Sequence, residues 1–273
     1  MRYLRRIIVI LFVAATAASL ATAYFVTGKK DTTAPVITCD IDELEVTSDA
    51  SEEELLAGLQ ASDNRDGDLT DKILIGSHSK FIEKGVCKVT YLVFDSSYNA
   101  GQYTRKVKYT DYSSPKFALS EPFAFDTEES VTMLDKLKVY DTIEGDISNK
   151  VKIVSSNIKE GEEGTYSVEV EAANDYADVV SIKLPVHIDA RVEGAPAIQL
   201  ETYLVYVKTG EEFDPYQYLT GVSDADGNPM DPAYIQADSS VDISQPGTYE
   251  VTYSYTDAYG RTGYSYLTVA VTE

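Results

Sequence analysis

Alternating apolar and polar side chains dominate the chain after its first thirty residues. The clearest example follows Gly247, where the apolar side chains from Tyr249 to Tyr255 occupy every second position. Successive side chains of a β-strand point to opposite faces, so this pattern predicts a half-buried strand. Asp257 to Gly260 then supply residues that favour turns. The stretch therefore predicts a strand that ends in a tight reversal.

The same pattern occurs three times. Each copy has a glycine, an alternating strand, and an Asn or Asp ten residues after the glycine; the glycines are Gly85, Gly164 and Gly247. Pro35, Pro115 and Pro196 recur at about the same period of 80 residues, which is typical of tandem domains. The sequence therefore predicts three repeats, at 31–111, 112–190 and 191–273, after an N-terminal segment at 1–30.

Composition supports an all-β fold and excludes one class of partner. The chain has 21 Tyr, 16 Gly, 9 Pro and no Trp, which favours many short strands joined by turns. Its formal net charge is −22, and it has no basic stripe. Such a surface repels nucleic acid, so no nucleic-acid partner is expected. It does attract divalent cations.

The N-terminal segment predicts export. Arg2, Arg5 and Arg6 precede residues 7–26, which carry no charge. Twenty residues of helix match the hydrocarbon layer of a membrane, which favours an uncleaved transmembrane anchor with the N-terminus inside and the C-terminus outside. The alternative is a cleaved signal peptide, since Ala21–Ala23 has the small-residue form of a cleavage site. Both interpretations place everything after Lys30 outside the cytoplasm, either membrane-anchored or secreted.

Three motifs resemble a known family. They are the opening Thr33–Thr38, the cluster at 61–70 with Asp66-Gly67-Asp68, and the strand at 247–257. They resemble bacterial immunoglobulin-like repeats found in tandem on surface proteins, and also hyalin-type repeats. The second repeat departs from the pattern at Glu144, Asn174 and Ala177. The resemblance implies three tandem immunoglobulin-like β-sandwiches that act outside the cell as spacers or adhesion modules.

The two cysteines predict a structural disulfide. By alternation, Cys39 and Cys87 both point inward within the first repeat. Two inward thiols in one small exported domain favour a bond between them. The alternative is that both remain unpaired and behave as small buried hydrophobic residues.

The recurrent acidic turns are candidate calcium sites. Carboxylate and amide oxygens at closely spaced positions suit a hard cation such as Ca²⁺. The candidate ligands are Asp63, Asp66, Asp68, Asp224, Asp226, Asn228 and Asp231. The alternative, which we favour, is that these side chains accept hydrogen bonds from neighbouring backbone N–H groups and need no metal. No other cofactor is expected.

The third repeat is rich in tyrosine. Outward-facing rings would form a platform for a glycan or a protein partner on the cell surface. The candidate platform residues are Tyr203, Tyr206, Tyr216, Tyr218, Tyr234 and Tyr259. The alternative is that tyrosine simply suits half-exposed strands.

Catalysis has little support in the sequence. His78 and His187 lie in different repeats, and each is interpreted as a solvated or incidental histidine. No nucleophile elbow, phosphate loop or metalloprotease helix motif is present. The sequence predicts a non-enzymatic surface spacer or adhesion module. The alternatives are a carbohydrate-binding or calcium-dependent recognition protein and, more remotely, a hydrolase.

Overall fold

The computed structural model describes residues 2–27, 31–190 and 192–273. Met1, residues 28–30 and Arg191 lie outside the described residues, as do the side chains of Arg2, Arg5 and Arg6 on which the predicted orientation rests. The chain forms two compact units, Met1–Thr110 and Asp111–Glu273. The first contains the N-terminal segment and the first repeat, and the second contains the other two repeats.

The N-terminal segment is helical. Helix α1 covers Arg2–Thr27. Among the residues that the structure describes, no helix combines the length and the apolar character that crossing a membrane requires, so the predicted transmembrane anchor is not supported.

The first repeat consists of seven strands and a short helix, α2, at Glu52–Leu56. Helix α2 begins with a capping box, because Ser51 N donates to Glu54 Oε2 at 2.8 Å and Glu54 N donates to Ser51 Oγ at 3.2 Å. The strands are β1 Val36–Cys39, β2 Glu43–Val46, β3 Leu59–Asp63, β4 Gly67–Asp68, β5 Leu74–His78, β6 Val86–Phe94 and β7 Ala100–Tyr109.

The second repeat has the same order of elements. Helix α3 covers Met133–Lys136. The strands are β8 Lys116–Leu119, β9 Ala124–Asp126, β10 Leu137–Asp141, β11 Gly145–Asp146, β12 Lys152–Ser156, β13 Gly164–Ala173 and β14 Val179–Asp189.

The third repeat replaces the short α-helix with a 3₁₀ turn at Pro215–Tyr218. Its strands are β15 Ala197–Leu200, β16 Leu204–Lys208, β17 Leu219–Ser223, β18 Gln236–Ser239, β19 Gly247–Thr256 and β20 Thr262–Thr272.

Each repeat is built from one small sheet and one four-stranded sheet. The four-stranded sheets have the orders β2-β7-β6-β5, β9-β14-β13-β12 and β16-β20-β19-β18. In each, the first strand runs parallel to the last strand of the repeat, and the other pairs are antiparallel. The predicted all-β class and the predicted repetition of one topology agree with this arrangement.

The core of the second repeat lies between its two sheets. Phe117 and Val139 of the small sheet pack in one cluster with Val168 and Leu184 of the large sheet. The alternation seen in the sequence explains why these side chains face inward, since every second residue of β13 from Val168 to Ala172 is buried. Ala270 of the third repeat belongs to the same cluster. The second and third repeats therefore share apolar contacts within one compact unit.

Glycine allows the large sheet to approach the first strand closely in two of the repeats. A Cβ atom at Gly101 would lie 2.1 Å from the carbonyl oxygen of Pro35, and one at Gly263 would lie 1.8 Å from that of Pro196. A side chain at either position would displace the strand that begins the repeat. The recurrent prolines of the sequence thus mark this contact.

Candidate functional site

Asp63, at the end of β3, organises the acidic turn of the first repeat. Its Oδ1 accepts hydrogen bonds from the backbone N–H of Asp66 at 2.9 Å and of Arg65 at 2.8 Å. These two donors stabilise the charged form and lower the pKa of the Asp63 carboxyl from its ordinary value. The turn chemistry predicted from the sequence is therefore present, but it occupies only one of the two carboxylate oxygens.

The structure brings Asp63 together with two aspartates that the sequence analysis did not select. One carboxylate oxygen each from Asp31, Asp63 and Asp95 lies within 4.8 Å of the other two. Asp31 is 4% exposed and Asp95 is 5% exposed. Oδ2 of Asp31 and Oδ2 of Asp63 are both buried and accept no hydrogen bond. Among the residues that the structure describes, this is the group of acidic side chains arranged as a metal site would be.

The remaining carboxylate oxygens of the cluster are held by N–H donors. Oδ1 of Asp95 accepts from Asn99 N at 2.7 Å and from Ser97 N at 2.9 Å. Asn99 Nδ2 donates to Asp95 Oδ2 at 2.6 Å and to the backbone oxygen of Asp31 at 3.2 Å. Oδ1 of Asp31 accepts from Thr33 N at 3.0 Å. The three carboxylates are thus fixed in position by the loops that carry them.

Two other predicted calcium ligands of this turn have separate roles. Asp66 accepts from Ser96 N at 2.6 Å and from Ser96 Oγ at 2.9 Å, and so joins the turn after β3 to the turn after β6. Asp68 Oδ1 accepts from Thr70 N at 2.9 Å. Neither residue belongs to the carboxylate cluster.

The predicted ligands of the third repeat are used within their own turns. Asp224 Oδ1 accepts from Asp226 N at 3.0 Å and from Asn228 N at 2.8 Å, and its Oδ2 accepts from Asn228 Nδ2 at 3.0 Å. The bonds from Asn228 lower the pKa of the Asp224 carboxyl. Asp231 Oδ1 accepts from Ala233 N at 3.0 Å and caps a short 3₁₀ turn. These side chains make the turn hydrogen bonds that the sequence analysis gave as the alternative to metal binding.

At the positions equivalent to the carboxylate cluster, the second repeat has a network in which Asn174 and Tyr112 donate to two aspartates. Asn174, ten residues after Gly164, donates from Nδ2 to Asp141 Oδ2 and to Tyr112 Oη, both at 2.9 Å. Tyr112 Oη in turn donates to Asp178 Oδ2 at 2.7 Å. Burial and the Asp178 carboxylate raise the pKa of Tyr112, so its hydroxyl stays protonated.

Arg105 lies in the core of the first repeat, where it is 3% exposed. Its Nη1 donates to the backbone oxygen of Ala57 at 2.6 Å and to Cys39 Sγ at 3.3 Å. Its Nη2 donates to the backbone oxygen of Leu55 at 2.7 Å, and its Nε donates to Tyr91 Oη at 3.2 Å. The guanidinium group therefore joins the end of helix α2 to the large sheet.

The predicted disulfide is wrong in this structure, because Cys39 and Cys87 are both free thiols. Cys39 Sγ lies 3.2 Å from the backbone oxygen of Ile41 and accepts a hydrogen bond from Arg105, so its polar contacts are already made. Cys87 is fully buried, and burial raises the pKa of its thiol to about 11. Alternation placed both side chains inward but did not determine which neighbours they meet.

His187 joins the second repeat to the third, contrary to the interpretation that it is incidental. It is 7% exposed, and its Nε2 lies 2.7 Å from Glu250 Oε2. Its ring stacks on Tyr266 with centroids 3.6 Å apart, and Tyr266 Oη donates to Asp189 Oδ2 at 2.8 Å. No short motif predicts this contact, since its members are far apart in sequence.

An open cleft of about 640 Å³ lies beside this contact, within the second unit. Its lining includes Asp126 and Glu163 from the second repeat and Tyr264 from the third. The Tyr264 side chain is 55% exposed. The cleft therefore combines an accessible aromatic ring with carboxylates, and neither repeat forms it alone.

The six tyrosines proposed as a platform do not share one surface role. Tyr203 and Tyr206 pack against the core of the second repeat, and Tyr218 stacks on Phe213 with centroids 6.0 Å apart. The exposed members are Tyr216, Tyr234 and Tyr259. Only Tyr206 of the six lies in a strand, and the sequence did not distinguish the contact between repeats from free surface.

The family comparison adds to this geometry. Residues 201–271 match the family described as "Bacterial surface protein, Ig-like domain". The predicted resemblance to bacterial Ig-like surface repeats is thereby confirmed. The match covers most of the third Ig-like repeat, including β16 and the final hairpin of β19 and β20.

A curated protein similar to this chain is the pesticidal crystal protein Cry22Aa of Bacillus thuringiensis. The two are 29% identical over 210 residues, which are 74% of this chain and 28% of the relative. The chain thus spans little more than a quarter of the relative's length.

Two solved structures have a partial likeness. The Drosophila N-cadherin EC1-3 structure is 12% identical, covers 89% of this chain and 91% of its own, and has a TM-score of 0.32. The structure of the CBM51-2, in complex with GlcNAc, and INT domains of Clostridium perfringens ZmpB is 20% identical, covers 54% and 26%, and has a TM-score of 0.23. At these scores the likeness carries no functional argument.

Proposed function

We propose that the chain is a non-enzymatic Ig-like module displayed outside the bacterial cell, where its repeats act as a spacer or adhesion element. The observation that carries the proposal is the match of residues 201–271 to the surface Ig-like family. The basic and apolar N-terminal segment supports export of everything that follows it.

The packing of side chains in the second unit supports the proposed role as a spacer. The inward-facing residues of both repeats form hydrophobic cores, and the strongly acidic composition favours a solvated surface. His187, Glu250 and Tyr266 join these two repeats through a hydrogen bond and a ring stack. A module that holds a ligand or another domain at a distance benefits from such a fixed connection.

Surface display is tested by protease treatment of intact cells. The full chain with a C-terminal epitope tag is produced in a bacterial host, and protease is added before and after lysis. We expect the tag to be lost from intact cells while a cytoplasmic protein survives. A variant without residues 2–30 serves as the matched control and should be protected until lysis. Protection of the full chain in intact cells would contradict the proposal.

A second candidate function is carbohydrate binding in the cleft of the second unit. The specific observation is the exposed Tyr264 ring beside Asp126 and Glu163, since sugars stack on aromatic rings and donate hydroxyl hydrogen bonds to carboxylates. A glycan array probed with the full chain tests this candidate. Tyr264→Ala should abolish any signal, whereas Tyr234→Ala, which removes a ring that is 69% exposed elsewhere in this repeat, should not.

A further inference from the structure

We infer that Asp31, Asp63 and Asp95 bind one Ca²⁺ ion in the first repeat. This inference goes beyond surface display, because a spacer needs no metal. It also differs from the calcium site predicted from sequence, which placed Asp63 with Asp66 and Asp68. The structure separates those two side chains from the cluster and supplies Asp31 and Asp95 instead.

Two buried carboxylate oxygens of the cluster have no hydrogen-bond donor. Asp31 is 4% exposed, and its Oδ2 has no hydrogen-bond donor; the same holds for the buried Oδ2 of Asp63. A buried carboxylate oxygen without a donor is costly, and a polar group left in this state calls for an explanation such as a bound ion. Oδ1 of each residue is already used by backbone N–H groups. Oδ2 of Asp63 is therefore left without a hydrogen-bond partner, and Oδ2 of Asp31 has only an ion pair with Arg65.

The separation of the carboxylate oxygens suits one calcium ion. Calcium binds oxygen at about 2.4 Å, so two oxygens on one ion lie at most about 4.8 Å apart. The three carboxylates fit within that limit. Because N–H donors already fix Asp63 and Asp95, little reorganisation is needed before an ion binds. Calcium takes six to eight oxygens, and water would complete the shell.

The second and third repeats do not have this group of three carboxylates at the equivalent positions among their described residues. At the position of Asp95, the second repeat has Asn174, which donates to the Asp141 carboxylate. The third repeat has Asp257 at this position, and Arg261 Nε donates to its Oδ2 at 2.7 Å. Asp95 is likewise satisfied within its own repeat, by Asn99. The difference is that the first repeat places two further carboxylates beside this position, and their Oδ2 atoms have no hydrogen-bond donor.

The nearby guanidinium group offsets only part of this charge. Arg65 Nε forms an ion pair with Asp31 Oδ2 at 3.3 Å. The Arg65 side chain is 50% exposed. Three carboxylates and one guanidinium leave two negative charges, which one divalent cation would neutralise. Arg65 then acts as an internal competitor of the ion, because both are attracted to the same oxygen.

Calorimetric titration of the full chain with CaCl₂ tests the inference, after divalent ions have been removed with a chelator. We expect one site per chain with a Kd of about 10⁻⁴ to 10⁻³ M, the range of extracellular calcium modules. The melting temperature of the first unit should rise in millimolar CaCl₂, since the ion binds the folded state. MgCl₂ should bind more weakly, because Mg²⁺ demands a smaller octahedral shell.

Variants identify the ligands. Asp63→Asn keeps the Oδ1 acceptor and removes the charge, so the affinity for Ca²⁺ should fall at least about tenfold. Asp31→Asn should do the same. Asp224→Asn changes the equivalent aspartate of the third repeat and should leave binding unchanged. Arg65→Gln removes the competing charge and should tighten binding about threefold or more.

The results separate a calcium site from a purely structural cluster. Absence of binding in the full chain at several millimolar CaCl₂ would overturn the inference. Binding that Asp63→Asn and Asp31→Asn leave intact would overturn it as well, because the ion would then lie elsewhere. Should an Asn variant lose its β-type circular dichroism, Arg65→Gln still decides, since its expected effect is a gain in affinity. No gain in that variant would count against the proposed ligands.

Discussion

The first and second repeats have the same sandwich topology. They differ in the polar side chains at the positions of Asp63 and Asp95, and in how those side chains are hydrogen-bonded. In the second repeat, Asn174 places an amide between Asp141 and Tyr112, so that donors and acceptors are matched. In the first repeat, Asp63 and Asp95 occupy the corresponding positions with Asp31 beside them. The fold therefore accommodates either carboxylates that are paired with amide and hydroxyl donors or a cluster of three carboxylates. The two solutions differ in whether an ion from outside is needed.

The core of the first repeat is also more polar than the core of the second. Arg105 pairs with Val89 across the first hairpin, as Leu184 pairs with Val168 across the second. Leu184 is fully buried among apolar side chains, whereas Arg105 is buried against backbone carbonyls, Tyr91 and Cys39. The first repeat therefore depends more on polar interactions in its interior than the second does.

The largest expected effect comes from replacing the buried guanidinium. Arg105→Met leaves the Ala57 carbonyl without its donor at 2.6 Å and removes the bonds to Leu55 and Tyr91. Each buried polar group that loses its partner is costly, so the free energy of unfolding of the first unit should fall by about 3 kcal/mol. Urea unfolding followed by circular dichroism measures the change.

The matched control introduces methionine at the equivalent position of the second repeat. Leu184→Met conserves volume in an apolar core and should cost less than about 1.5 kcal/mol. Equal effects of the two substitutions would mean that Arg105 contributes through packing alone, and the proposed difference between the cores would fail.

A smaller effect is expected from giving the second repeat the charge pattern of the first. Asn174→Asp removes the donor to Asp141 and to Tyr112 and places a second carboxylate beside Asp141, which is 5% exposed. A hydrogen bond to a charged group is worth about 2 kcal/mol, so the second unit should lose about that much stability at neutral pH.

The control for this substitution is Asn157→Asp. Asn157 is exposed and its Oδ1 accepts from Ser167 N, a bond that an aspartate retains. This change should alter stability by less than about 0.5 kcal/mol. A comparable loss in both variants would show that added negative charge, rather than the broken network, destabilises the protein.

Local patterns in the sequence predicted the strands and the repeat well. Alternation in β19, and the equivalent stretches after Gly85 and Gly164, identified the central strands because burial of one face requires that spacing. The turn residue Asp63 was also selected for the right reason, since its carboxylate does accept neighbouring N–H groups.

Contacts between distant residues were not predictable from such patterns. Asp31, Asp63 and Asp95 meet only because three loops lie at the same end of the sandwich. His187 and Glu250 belong to different repeats, and nothing local marks their contact. Alignment of the repeats offered one signal: an Asp stands four residues before Pro35 and another ten residues after Gly85, next to turns already considered acidic. The partner of each thiol had no such signal.

The smallest expected effect is on the reactivity of the cysteines, which both lie in the first repeat. Cys87 is fully buried, and burial raises its thiol pKa to about 11, so at pH 8 nearly all of it is the unreactive thiol. In a Cys39→Ser variant, the native chain should react slowly with a disulfide reagent. The rate should rise about tenfold per pH unit from pH 7 to 9, as the thiolate fraction grows.

The number of thiols released on unfolding provides the control for that measurement. In guanidinium chloride without reductant, the unmodified chain should titrate two thiols, because Cys39 and Cys87 are free in the folded state. A value of zero would mean that the cysteines form a bond despite the hydrogen bond from Arg105 to Cys39 Sγ. In that case the hydrogen bonds of Arg105 would differ from those described. The proposed difference between the cores of the first and second repeats would then be wrong.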